Sequence, residues 1–194
     1  MAMLIFSCVG VVVPNLGIRA LGGSGEGRLE MKLANLEFRT ETRLHGLRLA
    51  AAFAAVDNID FPVDTLHWDG LMSVNSVNTW TSDFKHFRTK GTSQWEPPET
   101  SAPGMLPVSA HLIFDYSMDR RNIELTQSQI ATPKSTIDMD GTLGAVDSAL
   151  ELKLQAGNLT EWDGFINDLR GPDSTPSLFG GAVTFRGRIM GPLG

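Results

Sequence analysis

The sequence predicts a mainly β fold built from antiparallel strands, with one or two short helices. Runs of strict apolar/polar alternation recur along most of the chain, and Gly, Asp, Asn and Pro clusters separate them. Helical spacing is confined to two short stretches, near residues 50–56 and 159–169. The pattern is plainest over residues 135–156. There Ile137 and Met139 alternate with Thr136, Asp138 and Asp140, and Leu150, Leu152 and Leu154 alternate with Glu151, Lys153 and Gln155. Such a pair is apolar on one face and wet on the other, with its turn expected at the Asp140-Gly141 neighbourhood.

Taken in order, residues 1–13 are an apolar run read as a strand pair. It is interrupted at Ser7, Gly10 and Pro14-Asn15, and Leu16, Ile18 and Ala20 then resume alternation. The run is shorter than the roughly 18 residues a spanning helix needs, and it lacks the charged start of a signal peptide. After glycines at 22, 23 and 25, Leu29, Met31 and Leu33 alternate with charged residues. Leu36 and Phe38 follow out of step, which predicts a bulge. Residues 44–49 finish a strand, and the Ala-rich stretch 50–56 predicts a short helix ended by Asp57-Asn58. Leu66, Trp68, Gly70, Met72 and Val74 share one parity, as in a strand. Residues 84–95 predict a polar strand with aromatic ends.

Three prolines and a glycine make the loop at 96–107 the clearest break in the pattern, yet the same strand style resumes beyond it. Residues 1–194 are therefore expected to form one β-rich segment. Val108, Ala110, Leu112, Phe114 and Tyr116 alternate, and Ile123 and Leu125 return after a turn, predicting a hairpin. Leu159, Trp162, Phe165, Ile166 and Leu169 fall at helical spacing behind Asn158-Leu-Thr160. That triplet matches a glycosylation sequon but reads better as a cap. Val183, Phe185 and Ile189 close the chain as a strand with a bare edge.

Composition narrows the function classes. Of 194 residues 42% are hydrophobic and 20% charged, as in a globular chain, and the net charge of -6 with scattered Lys and Arg argues against nucleic acid as a partner. Cys8 is the only cysteine, which removes disulfide frameworks and multi-cysteine metal sites. His45, His67, His86 and His111 stand alone, with no spacing that suits a metal. His67 and Asp69 share a parity but have no nucleophile beside them. Thr136-x-Asp138-x-Asp140-Gly141 up to Asp147 imitates a calcium loop, yet its first ligand is Thr, its last a short Asp, and its flanks are strands. No nucleophile elbow, phosphate loop or catalytic constellation emerges, so no enzyme, no metal and no cofactor are expected. Trp68, Trp80, Trp95 and Trp162 raise the alternative of a secreted β-sandwich or solenoid carbohydrate-binding module, although aromatics more often pack a core.

Four phrases carry a resemblance: Ala20-Leu-Gly-Gly-Ser-Gly-Glu-Gly-Arg28, Val56-Asp-Asn-Ile-Asp-Phe-Pro-Val63 with Leu66-His-Trp-Asp69, Ile137-Asp-Met-Asp-Gly-Thr-Leu-Gly144, and Gly187-Arg-Ile-Met-Gly-Pro-Leu193. Together they resemble the AsmA-like and TamB (translocation and assembly module) family of bacterial envelope proteins, over most of the chain from about Ala20. The resemblance implies a curled, taco-like antiparallel sheet with an open apolar groove, in the periplasmic portion of a protein anchored in the inner membrane. It implies carriage of phospholipids between inner and outer membranes, neighbouring β segments of the same longer protein as partners, and a link to an outer-membrane assembly partner. The family's membrane anchor and C-terminal domain have no counterpart here, so the chain looks like an internal fragment. Carried over by position, the groove-facing role falls on Leu29, Met31, Leu33, Leu112, Phe114, Ile137, Met139, Leu150, Leu152, Leu154, Val183, Phe185 and Ile189. Alternation alone does not separate such a groove from an ordinary sandwich core.

Overall fold

The computed structural model describes residues 5–7, 10–56, 67–84, 86–163 and 180–192. It is mainly β. The strands are β1 (Ile5–Ser7), β2 (Gly10–Ala20), β3 (Gly23–Lys32), β4 (Glu37–Arg48), β5 (Trp68–Asp69), β6 (Leu71–Thr81), β7 (Arg88–Glu96), β8 (Leu106–Pro107), β9 (Ser109–Ser117), β10 (Asn122–Ala131), β11 (Ser135–Gly144), β12 (Ala149–Ala156) and β13 (Val183–Met190). Eleven of them form one sheet in the order β1-β2-β3-β4-β6-β7-β9-β10-β11-β12-β13, and every neighbouring pair in it is antiparallel. The first and last strands do not pair, so the sheet is open rather than a barrel. β5 and β8 form a separate two-residue parallel ladder. Helix α1 (Leu49–Val56) and a 3-10 turn (Leu159–Trp162) complete the described elements.

Because the order in space follows the order in sequence, the connections alternate between two ends of the sheet. One end carries tight turns at residues 33–36, 118–121 and 145–148, together with the connection from β6 to β7. The other carries the turn at 21–22, the α1 connection, the loop 97–108 and the segment after β12. The register then assigns the faces. Met31 lies opposite Phe38 and Phe38 opposite Trp80; farther along the sheet Met139 lies opposite Leu152. One parity of every long strand therefore builds a common face.

Several local expectations are corrected. Pro14-Asn15 does not end the first pair, because β2 runs through it as an irregularity between Val13 and Leu16. The slip before Phe38 is not a bulge but the β3–β4 turn, and this places Leu33 in that turn instead of on the strand. The strand expected around Trp68 is broken at Gly70, which divides β5 from β6. An added Cβ at Gly70 would lie 3.1 Å from the Glu96 carbonyl oxygen and 3.2 Å from that of Val108, so a side chain there would push those backbones apart by a few tenths of an ångström. Asp140-Gly141 is not the turn of the most regular pair either. Gly141 sits inside β11 opposite Leu150, at φ 126°, where a Cβ would come within 2.1 Å of the Ala149 carbonyl oxygen, and the turn falls at 145–148.

β10 contains a bulge that alternation does not announce, since the three-residue step from Leu125 to Ser128 faces the two-residue step from Gly141 to Met139. The extra residues are held from both sides. The Gln127 N–H donates to Asp140 at 2.8 Å, and the Ser128 hydroxyl accepts from the Ile113 N–H at 3.0 Å and lies 3.2 Å from the Ile113 carbonyl oxygen. Asn158 caps the 3-10 turn, accepting from the Thr160 N–H at 3.0 Å, as its capping role predicts. The helical expectations at Phe165, Ile166 and Leu169, and the end of the first helix at Asp57-Asn58, lie outside the described residues.

Candidate functional site: the apolar face

The face that carries Met31, Phe38 and Trp80 also carries Leu29, Leu112, Phe114, Ile137, Met139, Leu150, Leu152, Leu154, Val183, Phe185 and Ile189, in continuous cross-strand rows. One row runs Ile130, Ile137, Leu154, Phe185; the next runs Ser128, Met139, Leu152, Gly187. The expected groove set thus shares a single surface, apart from Leu33, which lies past the end of β3. The same parity brings in Met72, Val74, Trp95, Ala110, Tyr116, Ile123, Leu125 and Leu143. Their signal was the alternation itself, read along each strand.

One end of this face is closed. Leu49 of α1, Trp68, Trp95, Val108, Ala110 and Trp162 form a buried cluster, and Phe53, Met72, Leu106, Leu112, Ile130, Ile137 and Leu159 pack against it. Trp68 meets Trp95 at 6.1 Å and Trp162 at 6.3 Å between ring centroids, in tilted and edge-to-face geometries that aromatic quadrupoles favour. The Trp95 indole N–H donates to the Ser93 hydroxyl at 2.8 Å, and that of Trp162 to the Ser135 hydroxyl at 2.9 Å. Ser135 Oγ also bonds a Glu161 carboxylate oxygen, and Glu161 accepts from Thr132 Oγ1 at 2.7 Å, which ties the 3-10 turn to the β10–β11 turn. Leu112 and Ile137 pack against this cap and, like Met139, Leu152 and Leu154, are half-buried, while Phe185 is 52% exposed. Gly141 has no side chain between Leu125 and Leu150, and both leucines are buried at that gap.

The middle of the face is not apolar. Thr40, Thr42, Ser76, Asn78, Thr89, Gly91 and Ser93 occupy it across β4, β6 and β7. Thr42 and Ser76 hydroxyls lie 2.8 Å apart, and the Asn78 amide donates to Thr40 at 3.0 Å. This island of hydroxyls and amides separates Leu29 and Met31 from the larger apolar field of β9–β13.

The opposite face is charged. It carries Arg28–Glu30 and Arg39–Glu41 pairs at 2.7 Å, Arg88–Asp115 at 2.5 Å, and Gln129 donating to Asp138 at 2.7 Å, with Lys153 at 3.8 Å from Asp138. Two concavities of about 760 and 750 Å³ are lined by rows of this face together with intervening residues of the other parity, Thr42, Ser76 and Phe114 in the first and Met139 and Leu152 in the second. The first lies between the rows of Arg43 and Glu41, the second between those of Lys153 and Glu151. The hollows thus lie between charged rows, and Phe114, Met139 and Leu152 of the expected groove set border them, while the rest of that set lines neither.

Hydrogen bonding to Arg88 holds the Asp115 carboxyl below its ordinary range, against a smaller upward effect of burial. Lys32 and then Asn35 do the same for Glu37, and Arg39 for Glu41. A depressed folded-state value means that Asp115 contributes stability above the unfolded value, near pH 4, and that this contribution disappears as pH falls through the lower folded value. Asp115→Asn is expected to be destabilised by at most about 1 kcal/mol at neutral pH, and the difference is expected to shrink as pH falls through the lowered folded-state value. Urea titrations at neutral and acidic pH measure the difference.

The other singled-out residues are accounted for locally. Asp69 accepts from the Ala102 N–H at 3.3 Å and so pins the 97–108 loop. His86 bonds Asp119 at 2.8 Å and His111 bonds Gln94 at 3.0 Å, both at exposed positions. Asp138 and Asp140 are engaged by Gln129 and by the Gln127 N–H, and among the described residues no three His, Cys, Asp or Glu side chains cluster as metal ligands would. Trp68, Trp95 and Trp162 are buried and offer no sugar-stacking platform; Trp80 is half-buried between Phe38 and Phe84. No described helix is long and apolar enough to cross a membrane. No protein-family model, no curated protein and no solved structure matches the chain.

Proposed function

We propose that this chain is a non-enzymatic, lipid-carrying segment of an AsmA-like or TamB-type envelope protein. In this reading its half-buried apolar surface around Met139, Leu152, Leu154 and Phe185 receives phospholipid acyl chains. The observation that carries the reading is an eleven-stranded open sheet with one apolar and one charged face, whose apolar face is capped at one end only. Each methylene removed from water on such a surface contributes about 0.8 kcal/mol without any directional group, so no nucleophile or metal is needed. The hydroxyl and amide island suits an amphipathic occupant: acyl chains lie over the leucine rows while ester or headgroup oxygens reach Thr40, Ser76 and Asn78. The proposed setting is the periplasmic portion of an inner-membrane-anchored protein that moves phospholipid toward the outer membrane, with a link to outer-membrane protein assembly. The free edge of β13 would pair with a neighbouring β segment of the same longer protein, because its outer backbone groups have no ladder partner among the described strands. Native mass spectrometry of the protein purified from a bacterial envelope tests the reading. Copurifying phospholipid is the expected result; a lipid-free protein with measurable affinity for a polysaccharide would replace it with the carbohydrate-module reading.

A further inference from the structure

The turn-bearing end of the sheet has an unusual rim. Large apolar side chains stand exposed in its successive turns: Leu33 and Leu36 between β3 and β4, Phe84 between β6 and β7, Met118 between β9 and β10, and Val146 between β11 and β12, while Met190 ends β13. Val146 and Met190 are 74% and 71% exposed, and Phe84 is 58% exposed. Exposure is one cost and backbone conformation is a second. Leu36 and Phe84 have φ of 49° and 55°, a left-handed region where glycine or asparagine is at ease and a bulky residue is strained. Two turns thus keep an apolar side chain where a polar or missing one would stabilise the fold better.

The spacing and the charge identify what meets this rim. Successive turns are two strands apart, roughly 10 Å at a strand spacing of about 4.8 Å, and acidic and basic residues stand between them. Lys32 pairs with Glu37 at 3.0 Å and His86 bonds Asp119 at 2.8 Å. Protein docking concentrates its energy in one contiguous desolvated cluster, which tips separated in this way do not provide. A fluid bilayer takes each tip independently. Behind them Phe38, Trp80 and Phe84 stack, with ring centroids 5.4 and 5.9 Å apart, as an aromatic belt of the kind that sits at a membrane–water interface.

We infer that the turn-bearing rim docks on a phospholipid surface by shallow insertion of Leu33, Leu36, Phe84, Met118, Val146 and Met190. Mixed charge at the rim makes the docking insensitive to lipid headgroup charge and to salt. The inference rests on the lipid-carrier reading for its purpose, but the two are read out separately. Vesicle binding needs no lipid transfer, and capture of lipid at position 152 from detergent micelles needs no bilayer.

The test is sedimentation of the full chain with phosphatidylcholine vesicles. The parent is expected to bind equally at low and high salt. The triple variant Phe84→Ser/Met118→Ser/Val146→Ser is expected to lose at least tenfold in partitioning while melting as the parent does. Leu71→Ser is the control, because Leu71 is 48% exposed but sits at the capped end, on the charged face opposite Glu96. It should bind as the parent. As a measurement independent of the triple variant's folding, an environment-sensitive dye at Val146→Cys in a Cys8→Ser background should shift to the blue on vesicles, and the same dye at Leu71→Cys should not. Failure of the parent to bind, unchanged binding by a folded triple variant, or a dye at 146 that stays in water on bound protein would each overturn the inference. So would a dimer in solution that the triple substitution abolishes in the absence of vesicle binding, which would assign the rim to a second copy.

Discussion

Leu150→Asp is expected to abolish cooperative unfolding and leave the chain unfolded at room temperature. Leu150 is 2% exposed and shares a row with Gly141 and Ile189. An aspartate there buries an ionised carboxylate, and no basic side chain shares its row. The penalty is several kcal/mol or a carboxyl held protonated, against a total stability of about 5 to 15 kcal/mol for a domain. Circular dichroism melting measures it. A folded Leu150→Asp protein with a melting temperature close to the parent would mean that this row is not core.

Leu152→Asp, two residues along the same face, is expected to behave differently. Leu152 is half-buried, its row partner on β13 is Gly187, over which the Phe185 ring lies, and it is not among the residues packed against the tryptophan cluster as Ile137 is. The carboxylate can therefore meet water, and the fold should survive with a loss of about 1 to 2 kcal/mol, within the ordinary range for single substitutions. Lipid copurification should fall to background, because a charge in the middle of the leucine rows repels acyl chains. Lys153→Asp, on the opposite face, is the control and should change neither property. Leu152→Asp that unfolds as Leu150→Asp does would make the apolar face a closed core.

The contrast between these two leucines marks how far sequence reading reaches. Alternation assigns a parity, and parity alone collects the expected groove residues other than Leu33 on one surface. Alternation does not say what lies above that surface. Leu112 and Ile137 read like Leu152, yet the first two pack against a cap that includes Trp68 and Trp162, brought together from distant positions in sequence by the connections at one end of the sheet. The tryptophans gave no shared pattern because each stands on a different element. Gly141 was misread for a related reason: Asp-Gly is the commonest signature of a tight turn, but here the glycine lets a neighbouring strand approach and Asp140 fastens a bulge in β10. Leu33 was carried past its strand because a two-residue period continues arithmetically through a turn that begins at the same residue. The hydroxyl island was legible only after register, since Thr42, Ser76 and Ser93 look like ordinary polar members of three separate strands until pairing sets them side by side.

Charge followed the same logic with less ambiguity. Arg28, Arg39, Arg88, Asp115 and Asp138 all fell on the parity opposite to the leucines, and the sheet pairs them across or along strands. Each such exposed pair contributes little to stability, so their role is to keep that face in water.

Site-specific photocrosslinking across β12 tests the central claim most directly. A photoreactive residue at 152 and at 154, compared with one at 151 and at 153, samples both faces of a single strand in protein that remains folded. The account predicts phospholipid adducts from 152 and 154 and none from 151 and 153 when the protein is expressed in a bacterial envelope. Adducts from 151 and 153 alone, over the charged hollow lined by Asp138 and Arg186, or no lipid adduct from any of the four, would contradict it.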